Sequence, residues 1–471
     1  MQLSQPARRL GALAAGLSAL SANLLGAGAA HAQTAPAQAA PAGLMDEGAP
    51  QPGDLLVDGA VLFYQESGSR VRAIEPVITL EDHLANGDVV SGGLTYDSLT
   101  GATPNGAAPA HTDQTFTQII NQPTSSQVAT TSASGGSTIT SIPGTSTATS
   151  TYTQPAGRTP LASFHDHRFA ANVLYDWQAG LNGRVRAGGA FSVESDYTSF
   201  TFSLGGSHDF NRKNTTLSLN ASIEGDISRP HYGTPGAFEN LNTLINGGND
   251  HKAVLSVVAG LTQTLTRFWL TQLNYSFTNN QGYQSDPYRV LSVVGSGGAL
   301  LGYVFENRPR SRQRHAFYWG NKLALGPTVA DIGARYYTDS WGIKGITVEA
   351  SEQVPITRYL YVKPLARYYR QSAANFYTPY LVGGVAEDGS TFTGMPQYAS
   401  SDARLARFSA TTFGARVGWR LLEGSELYLD GEVYRQSGTS TAANAPPVLA
   451  GFNYFSGVHA FSLVAGFKIK M

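Results

Sequence analysis

The chain has 471 residues, a formal net charge of −1, 14% charged residues and no cysteine. The lack of cysteine excludes disulfides, thiolate chemistry, cysteine-based zinc sites and a lipoprotein anchor. A near-zero net charge, with Lys and Arg scattered along the chain, argues against a nucleic-acid partner.

The first 32 residues are predicted to be a signal peptide. Arg8 and Arg9 precede an apolar stretch, and Ala30-His31-Ala32 supplies the small residues that a signal peptidase requires. Residues 33–53 are rich in Ala, Pro and Gln, and we expect a flexible periplasmic leader that is too short to plug a barrel. No later apolar stretch reaches eighteen residues, which excludes transmembrane helices. Residues 54–471 are therefore expected to form the folded part of the chain.

From residue 54 onward, the main signal is alternation of apolar and polar residues, which is typical of β-strands. The last segment is the clearest, because Phe461, Leu463, Ala465 and Phe467 alternate with polar or small residues up to the end of the chain. The pattern predicts about sixteen strands, within a range of fourteen to eighteen. They start near Asp54, Ser69, Asp88, His165, Gly183, Tyr197, Thr215, His251, Phe268, Gln313, Val329, Lys344, Tyr359, Leu405, Glu426 and Ser456.

The connections between these strands fall into two groups. If the C-terminus is periplasmic, seven short turns lie on the periplasmic side. The long connections then all lie on the other side, at residues 100–164, 228–250, 283–312, 371–404 and 438–455. This arrangement, with an even strand number, is expected of a closed antiparallel transmembrane β-barrel in a bacterial outer membrane. The loop at 100–164 is low in complexity and rich in Ser and Thr, so we expect it to be extracellular and mobile.

The polar side of the strands carries charges in the middle of strands, which is why we place it in a watered lumen. A charge on the lipid side would cost about 2–4 kcal/mol at the membrane midplane. The alternative, a soluble all-β protein, would bury the apolar side inward instead. The residues predicted to line the lumen are Arg184, Arg186, Glu224, Asp331, Arg335, Glu349, Lys363, Arg367, Arg416, Arg420, Asp430 and Glu432. Basic residues are concentrated in the C-terminal half, which favours anions, although Arg–Glu pairs could simply neutralise one another.

Aromatic residues at strand ends predict the two girdles of a membrane barrel. They are Tyr175, Trp177, Trp269, Phe317, Trp319, Tyr336, Tyr337, Tyr368 and Tyr369. A short repeat, Tyr-Arg-Gln-Ser at 369–372 and again at 434–437, ends two strands that run outward. In each copy the Tyr and Gln share the lumen side and the Arg follows the lipid side, which suits contact with lipopolysaccharide phosphate.

Several strings resemble a bacterial family known only as domain of unknown function 3570. They are DSLTGATPNG at 97–106, FNRKNTT at 210–216, QLNYS at 272–276, DPY at 286–288 and YRQSA at 369–373. The resemblance covers residues 54–471 and implies an outer-membrane barrel without a settled activity.

No combination of residues predicts an enzyme. Ser207-His208-Asp209 cannot form a triad, because neighbours on a strand point to opposite faces. His165 and His167 share one face about 7 Å apart and are weak metal candidates that need a third ligand. A hydrolase site based on these residues and His315 is the least favoured interpretation. Nucleotide-binding, dinucleotide-binding and metalloprotease motifs do not occur, so we expect no cofactor.

The sequence therefore predicts a porin-like channel for small polar solutes. The alternative is a scaffold barrel that docks a partner through its long loops or its leader. Expected partners are outer-membrane lipid, lipopolysaccharide and the barrel-assembly machinery. A homo-oligomer is compatible with the sequence, which carries no specific signature for one.

Overall fold

Sixteen antiparallel strands, each paired with its neighbours in chain order, close into one barrel. The computed structural model describes residues 50–121, 138–141, 147–245, 247–385, 392–421, 424–441 and 445–471. The predicted signal peptide and most of the predicted leader lie outside these ranges. The barrel strands are β1 (Leu55–Glu66), β2 (Val71–His83), β3 (Val89–Pro104), β4 (Leu161–Ala179), β5 (Gly183–Val193), β6 (Tyr197–Phe210), β7 (Thr215–Ser228), β8 (Asp250–Thr266), β9 (Trp269–Gly282), β10 (Ser311–Leu325), β11 (Thr328–Asp339), β12 (Lys344–Pro355), β13 (Leu360–Gln371), β14 (Phe408–Arg420), β15 (Glu426–Ser437) and β16 (Val458–Lys470).

Closure is made by the first and last strands. The Leu55 amide donates to the Met471 carbonyl at 3.0 Å, and the Met471 amide donates to the Leu55 carbonyl at 2.9 Å. Closure removes the unpaired strand edge that hydrocarbon does not tolerate. The predicted fold class and strand number are thus confirmed.

The strand starts agree with the sequence pattern to within a few residues. The largest difference is at β4, which begins at Leu161 rather than near His165 because it continues alongside β3 as far as Pro104. Within the described ranges, the helical segments are three short 3-10 turns, and no helix there is long and apolar enough to cross a membrane.

One face of each strand forms an apolar outer surface. Val417 and Leu429, which are register partners on β14 and β15, are 44% and 47% exposed. Exposed Leu, Val, Ile and Phe side chains follow the same alternation around the ring. Such a surface is stable in lipid, where apolar side chains need no burial in protein. Two of the predicted girdle residues, Tyr337 and Tyr369, face inward instead, since their neighbours Tyr336 and Tyr368 occupy the outward position.

The two ends of the barrel differ strongly. At one end the strands are joined by seven short connections, residues 84–88, 180–182, 211–214, 267–268, 326–327, 356–359 and 421–425. At the other end three connections are short, 67–70, 194–196 and 340–343, and five are long, 105–160, 229–249, 283–310, 372–407 and 438–457. Bacterial barrels place short turns in the periplasm and long loops outside the cell. The long-loop end is therefore the outer end.

The outer loops carry strands of their own. Gln114–Asn121 and Thr138–Ser141 both pair with Thr147–Gln154, within the tract expected to be mobile. The composition of this tract does not predict these strands, although β-branched Thr favours strands once a partner strand is present. A second sheet joins Val290–Val294, Leu300–Phe305 and Leu381–Val382, so it draws on two different loops.

Candidate functional site

The twelve predicted lumen residues lie on the side of the strands opposite the apolar outer surface. Contacts between strands that are not neighbours show that this side is the concave one. Lys363 on β13 reaches Asp331 on β11 at 2.8 Å, across the intervening strand β12. Side chains two strands apart meet in this way on the concave face of a curved sheet, where they converge.

Many inner charges form ion pairs. Arg416 contacts Asp430 through two hydrogen bonds of 2.7 Å each, the geometry in which a guanidinium binds a carboxylate best. Asp331 also forms an ion pair with Lys322, with 3.2 Å between Lys322 Nζ and Asp331 Oδ1. Across β4 and β5, Asp176 accepts from Arg184 at 2.8 Å. Pairing therefore neutralises part of the charge on the wall.

At mid-height, the inner wall is open to water. Arg367 and Glu349 face each other at 3.7 Å with side chains 36% and 31% exposed. Arg335 on the adjacent strand β11 is also exposed, and it forms no ion pair with a described residue. Because these side chains point into the barrel, their exposure means that the lumen contains space for water at this level.

The two halves of the wall differ in charge. The inner face of β10 to β16 is rich in basic residues: Arg312, Arg314, Lys322, Arg335, Lys363, Arg367, Arg416, Arg420, Lys468 and Lys470. The inner face of β1 to β7 is mainly acidic: Asp58, Glu66, Glu75, Glu81, Asp97, Asp166, Asp176, Asp209, Glu224 and Asp226. The concentration of basic residues in the C-terminal half was predicted from the sequence, whereas the acidic inner face of β1 to β7 was not. The same alternation of polar and apolar residues places these acidic residues on the inner side. Facing walls of opposite charge produce an electric field across the lumen.

A row of alternating Tyr and Gly crosses four strands on the basic side. Tyr361, Gly418, Tyr428 and Gly466 are register partners from β13 to β16. Each Tyr ring lies over the glycine of the next strand, and Arg416 stacks over the Tyr428 ring at 4.2 Å. The glycines are needed because a side chain would occupy the space of the rings.

We expect Gly418→Ala to destabilise the barrel by about 1–3 kcal/mol, because overpacking forces neighbours out of place. The added Cβ would lie 2.2 Å from Tyr361 Cζ. Gly431→Ala on β15 is the matched control, since its Cβ would meet no atom within 4 Å. Urea unfolding of both variants in lipid vesicles measures the difference. Equal stability of the two variants would mean that the rings do not depend on the glycine.

The histidines considered as metal ligands lie on the outer surface. His165 and His167 point outward in a T-shaped contact with ring centroids 4.5 Å apart, and the Tyr96 hydroxyl lies 2.8 Å from His167 Nδ1. His315 also points outward, six strands away around the ring, with its Nδ1 2.9 Å from the Tyr275 hydroxyl. Among the described residues, no carboxylate joins the histidine pair as a third ligand.

A group of three carboxylates lies on the inner side of the same region. Asp166, Glu194 and Asp196 have oxygens within 4.8 Å of one another. Hydroxyl groups already serve two of them, because Ser195 donates to Asp166 at 2.6 Å and Tyr288 donates to Asp196 at 2.8 Å. Burial raises the pKa of Glu194 to about 7, so this carboxyl is partly protonated at neutral pH.

The long loops fold together over the outer end. We use the word cap for the described residues of the loops 105–160, 229–249, 283–310, 372–407 and 438–457. One apolar cluster of the cap joins Phe116, Leu241, Ile245 and Phe305, and a second joins Ala108, Val294 and Leu449. These loops rise from strands on opposite sides of the ring, so their contact requires them to reach across the barrel mouth.

A buried charge cluster ties two of these loops together. Glu306 and Arg308 lie in one loop, and Asp402 and Arg404 lie in the other. Asp402 contacts Arg308 at 2.9 Å and Arg404 at 2.6 Å, while Arg308 contacts Glu306 at 2.6 Å. Asp286, the first residue of the Asp-Pro-Tyr string, contacts Arg404 at 3.3 Å. Three carboxylates and two arginines therefore form ion pairs that replace the water that each lost on burial.

The arginines control the protonation of this cluster. Burial alone would raise the pKa of Asp402, but Arg289, Arg404 and Arg308 lower it well below its ordinary value. The same three arginines lower the pKa of Asp286 despite its burial. Both carboxylates are therefore ionised at neutral pH, and the cluster acts as a set of charged contacts.

A closed barrel with an apolar outer surface and a charged inner wall defines an outer-membrane β-barrel protein. The chain belongs to the family described as "Protein of unknown function (DUF3570)", which matches residues 17–469. The resemblance seen in the sequence is thereby confirmed. Curated proteins gave no match.

Among solved structures, the chain is similar to the siderophore receptor PirA from Pseudomonas aeruginosa, with 10% identity and a TM-score of 0.40 over 89% of this chain and 62% of that one. The chain thus spans about three fifths of the receptor's length. It is also similar to OccK3 (OpdO) from Pseudomonas aeruginosa, with 10% identity and a TM-score of 0.37 over 89% and 96% of the two chains. A third similar structure is a bacterial polysaccharide outer membrane secretin. Its identity is 9% and its TM-score is 0.40, over 89% of this chain and 98% of that one.

Proposed function

We propose that this barrel is a channel for small polar solutes whose outer mouth is restricted by the cap. The observation that carries the proposal is the water-exposed charge at mid-height on the inner wall. Arg335, Arg367 and Glu349 all point inward; Arg335 is exposed, and the side chains of Arg367 and Glu349 are about one third exposed. Charged side chains that face open space inside a membrane barrel are typical of a hydrated pathway.

The opposite charge of the two inner walls supports polar rather than apolar solutes. An apolar solute gains nothing from a transverse field, whereas a dipolar or charged solute is oriented by it. The cap accounts for restricted entry, because its loops meet across the mouth. The proposal includes no catalysis, since His165, His167 and His315 lie on the outer surface and in two separate places.

Planar-bilayer recording on the purified full chain tests the channel directly. We expect discrete conductance steps from the wild-type barrel, and larger steps once the cap is loosened by Asp402→Asn. The Asp402→Asn variant is needed because a closed cap could by itself prevent the wild-type barrel from conducting. If neither protein conducts above the lipid background, the channel proposal is wrong.

Ion selectivity gives a sharper test. Reversing two exposed inner charges, with Arg335→Glu and Arg367→Glu, should shift the anion-to-cation permeability ratio several-fold toward cations. The control reverses two exposed arginines of the periplasmic turns, with Arg267→Glu and Arg358→Glu. Reversal potentials in a salt gradient give the ratio for each protein. Equal shifts in the two double variants would show that ions do not pass the mid-height wall.

A docking barrel is the second candidate, and the folded cap favours it. A set of loops with its own apolar clusters presents a defined surface rather than a mobile one. Photo-crosslinking from the exposed Gln397 in the cap of intact cells tests this candidate. A single crosslinked partner that is lost in Asp402→Asn cells would support docking. The absence of any partner would leave the channel as the remaining function.

A further inference from the structure

Basic residues are unevenly distributed on the membrane-facing side of the outer end. Seven consecutive strands of the ring, β12 to β16 followed by β1 and β2, form one continuous arc. On six of these strands, an outward-facing basic residue lies within two residues of the outer end. We call them the basic rim: Lys344, Arg370, Arg407, Arg435, His459 and Arg72. On the seventh strand, β1, the equivalent outward residue is Gln65.

The side chains of the basic rim have no partners of their own. All six residues are exposed, and their side chains form no hydrogen bond or ion pair with a described residue. The outward positions at the outer ends of these seven strands carry no Asp or Glu. By the same criterion, the other nine strands contribute Arg229, which lies one residue beyond β7, and His251 on β8. The arc therefore holds five of the six outward Lys and Arg residues at the outer end.

The Tyr-Arg-Gln-Ser repeat explains how two of these arginines are oriented. Inside the barrel, Tyr369 donates to Gln371 at 2.6 Å, and Tyr434 donates to Gln436 at 2.7 Å. The same pair of lumen-side residues thus holds both strand ends. Because neighbours on a strand point to opposite faces, Arg370 is directed outward by this arrangement. Arg435 is directed outward in the same way.

The height of the basic rim decides what can reach it. Directly below lie Tyr368, Phe461 and Ile74, which are exposed outward residues of the apolar band. The basic rim therefore lies at the upper edge of the hydrocarbon, at the level of the lipid head groups. With strands about 4.8 Å apart, the arc is roughly 30 Å long.

We propose that the basic rim binds the phosphate groups of lipopolysaccharide in the outer leaflet. Guanidinium groups form paired, charge-assisted hydrogen bonds with phosphate, and five of the six residues keep their charge at any physiological pH. The leaflet presents phosphates at the height where these side chains lie. An acidic face of a neighbouring membrane protein is the competing partner.

The test measures binding of purified lipid A to the full chain in detergent by native mass spectrometry. Removing the two repeat arginines, with Arg370→Ala and Arg435→Ala, should weaken binding about 25-fold, taking about fivefold for each cation near an anionic head group. The matched control removes Arg267 and Arg358, two exposed arginines of the periplasmic turns. Arg370→Lys with Arg435→Lys should stay within a few-fold of wild type, because the charge remains.

Three further arms identify the source of the phosphate. Dephosphorylated lipid A should bind weakly to the wild type, and millimolar inorganic phosphate should not displace intact lipid A. Lipid A binding should also fall as salt rises, since exposed charges are screened. Folding of each variant is checked by its heat-dependent shift on a gel, and Arg407→Ala replaces any variant that fails to fold.

Several results would overturn the proposal. One is lipid A binding within twofold of wild type after loss of both repeat arginines. Equal binding of dephosphorylated lipid A would be another. Displacement by free phosphate would assign the rim to a soluble anion. An equal loss of binding in the periplasmic control would show that the arc has no special role, and retained binding together with a crosslinked acidic neighbour would favour the protein partner.

Discussion

Replacing Asp402 with Asn is expected to loosen the cap and to raise the conductance of the barrel. Asp402 contacts Arg308 and Arg404, and its side chain is only 2% exposed. The Asn side chain keeps the shape and removes the charge, so among the described residues Arg308 keeps only Glu306 and Arg404 keeps only Asp286 as ion-pair partners. Breaking a buried pair from one side costs about 3–5 kcal/mol.

Two measurements follow the cap in this variant. Protease added to intact cells should cut the loops faster than in wild type, and single-channel steps should become larger. Asp250→Asn is the control, because its partner Arg310 is 63% exposed and such surface pairs contribute about 0–1 kcal/mol. If Asp402→Asn and Asp250→Asn behave alike, the buried cluster does not hold the cap.

Replacing Val433 with Arg is expected to destabilise the inserted barrel. Val433 faces outward on β15, two residues below Arg435 of the basic rim, and is 59% exposed. An arginine on the lipid side costs about 2–4 kcal/mol at the midplane and less toward the interface, so we expect a loss of about 1–2 kcal/mol here. Urea titration in phospholipid vesicles measures the loss of folding free energy.

The neighbouring residue provides the control for this variant. Glu432 lies one residue earlier on the same strand and faces the lumen. Glu432→Arg places the same side chain at the same depth, where water is available to it. We expect it to change stability by less than about 1 kcal/mol. Equal costs at the two positions would mean that the assignment of lipid and lumen sides is wrong.

The barrel could be predicted from the sequence because its rule is local. Each strand has to present apolar residues to lipid and polar residues to the lumen, so the period of two is written into every segment. The same rule placed Arg416 and Asp430 on the inner wall. The rule does not assign consecutive aromatic residues such as Tyr336 and Tyr337, because a Tyr side chain is compatible with either face. Only the strand register shows which of the two faces lipid.

The cap could not be predicted, because its contacts are not periodic. Phe116 and Phe305 come from loops almost two hundred residues apart, and nothing in either loop indicates the other. The Ser- and Thr-rich composition of residues 147–154 favoured disorder, yet a partner strand at 114–121 supplies the hydrogen bonds that composition cannot reveal. The acidic wall follows the same local alternation, but only the closure of the ring shows that it faces the basic wall.

Leu449 makes the cap depend on both ends of the chain. Leu449 packs with Ala108, so a loop near the beginning of the chain is completed only by one near its end. The cluster of Phe116, Leu241 and Phe305 contains no described residue of the last loop, so three earlier loops can pack together before that loop is in place. Packing of the cap is therefore completed by the last of the outer loops.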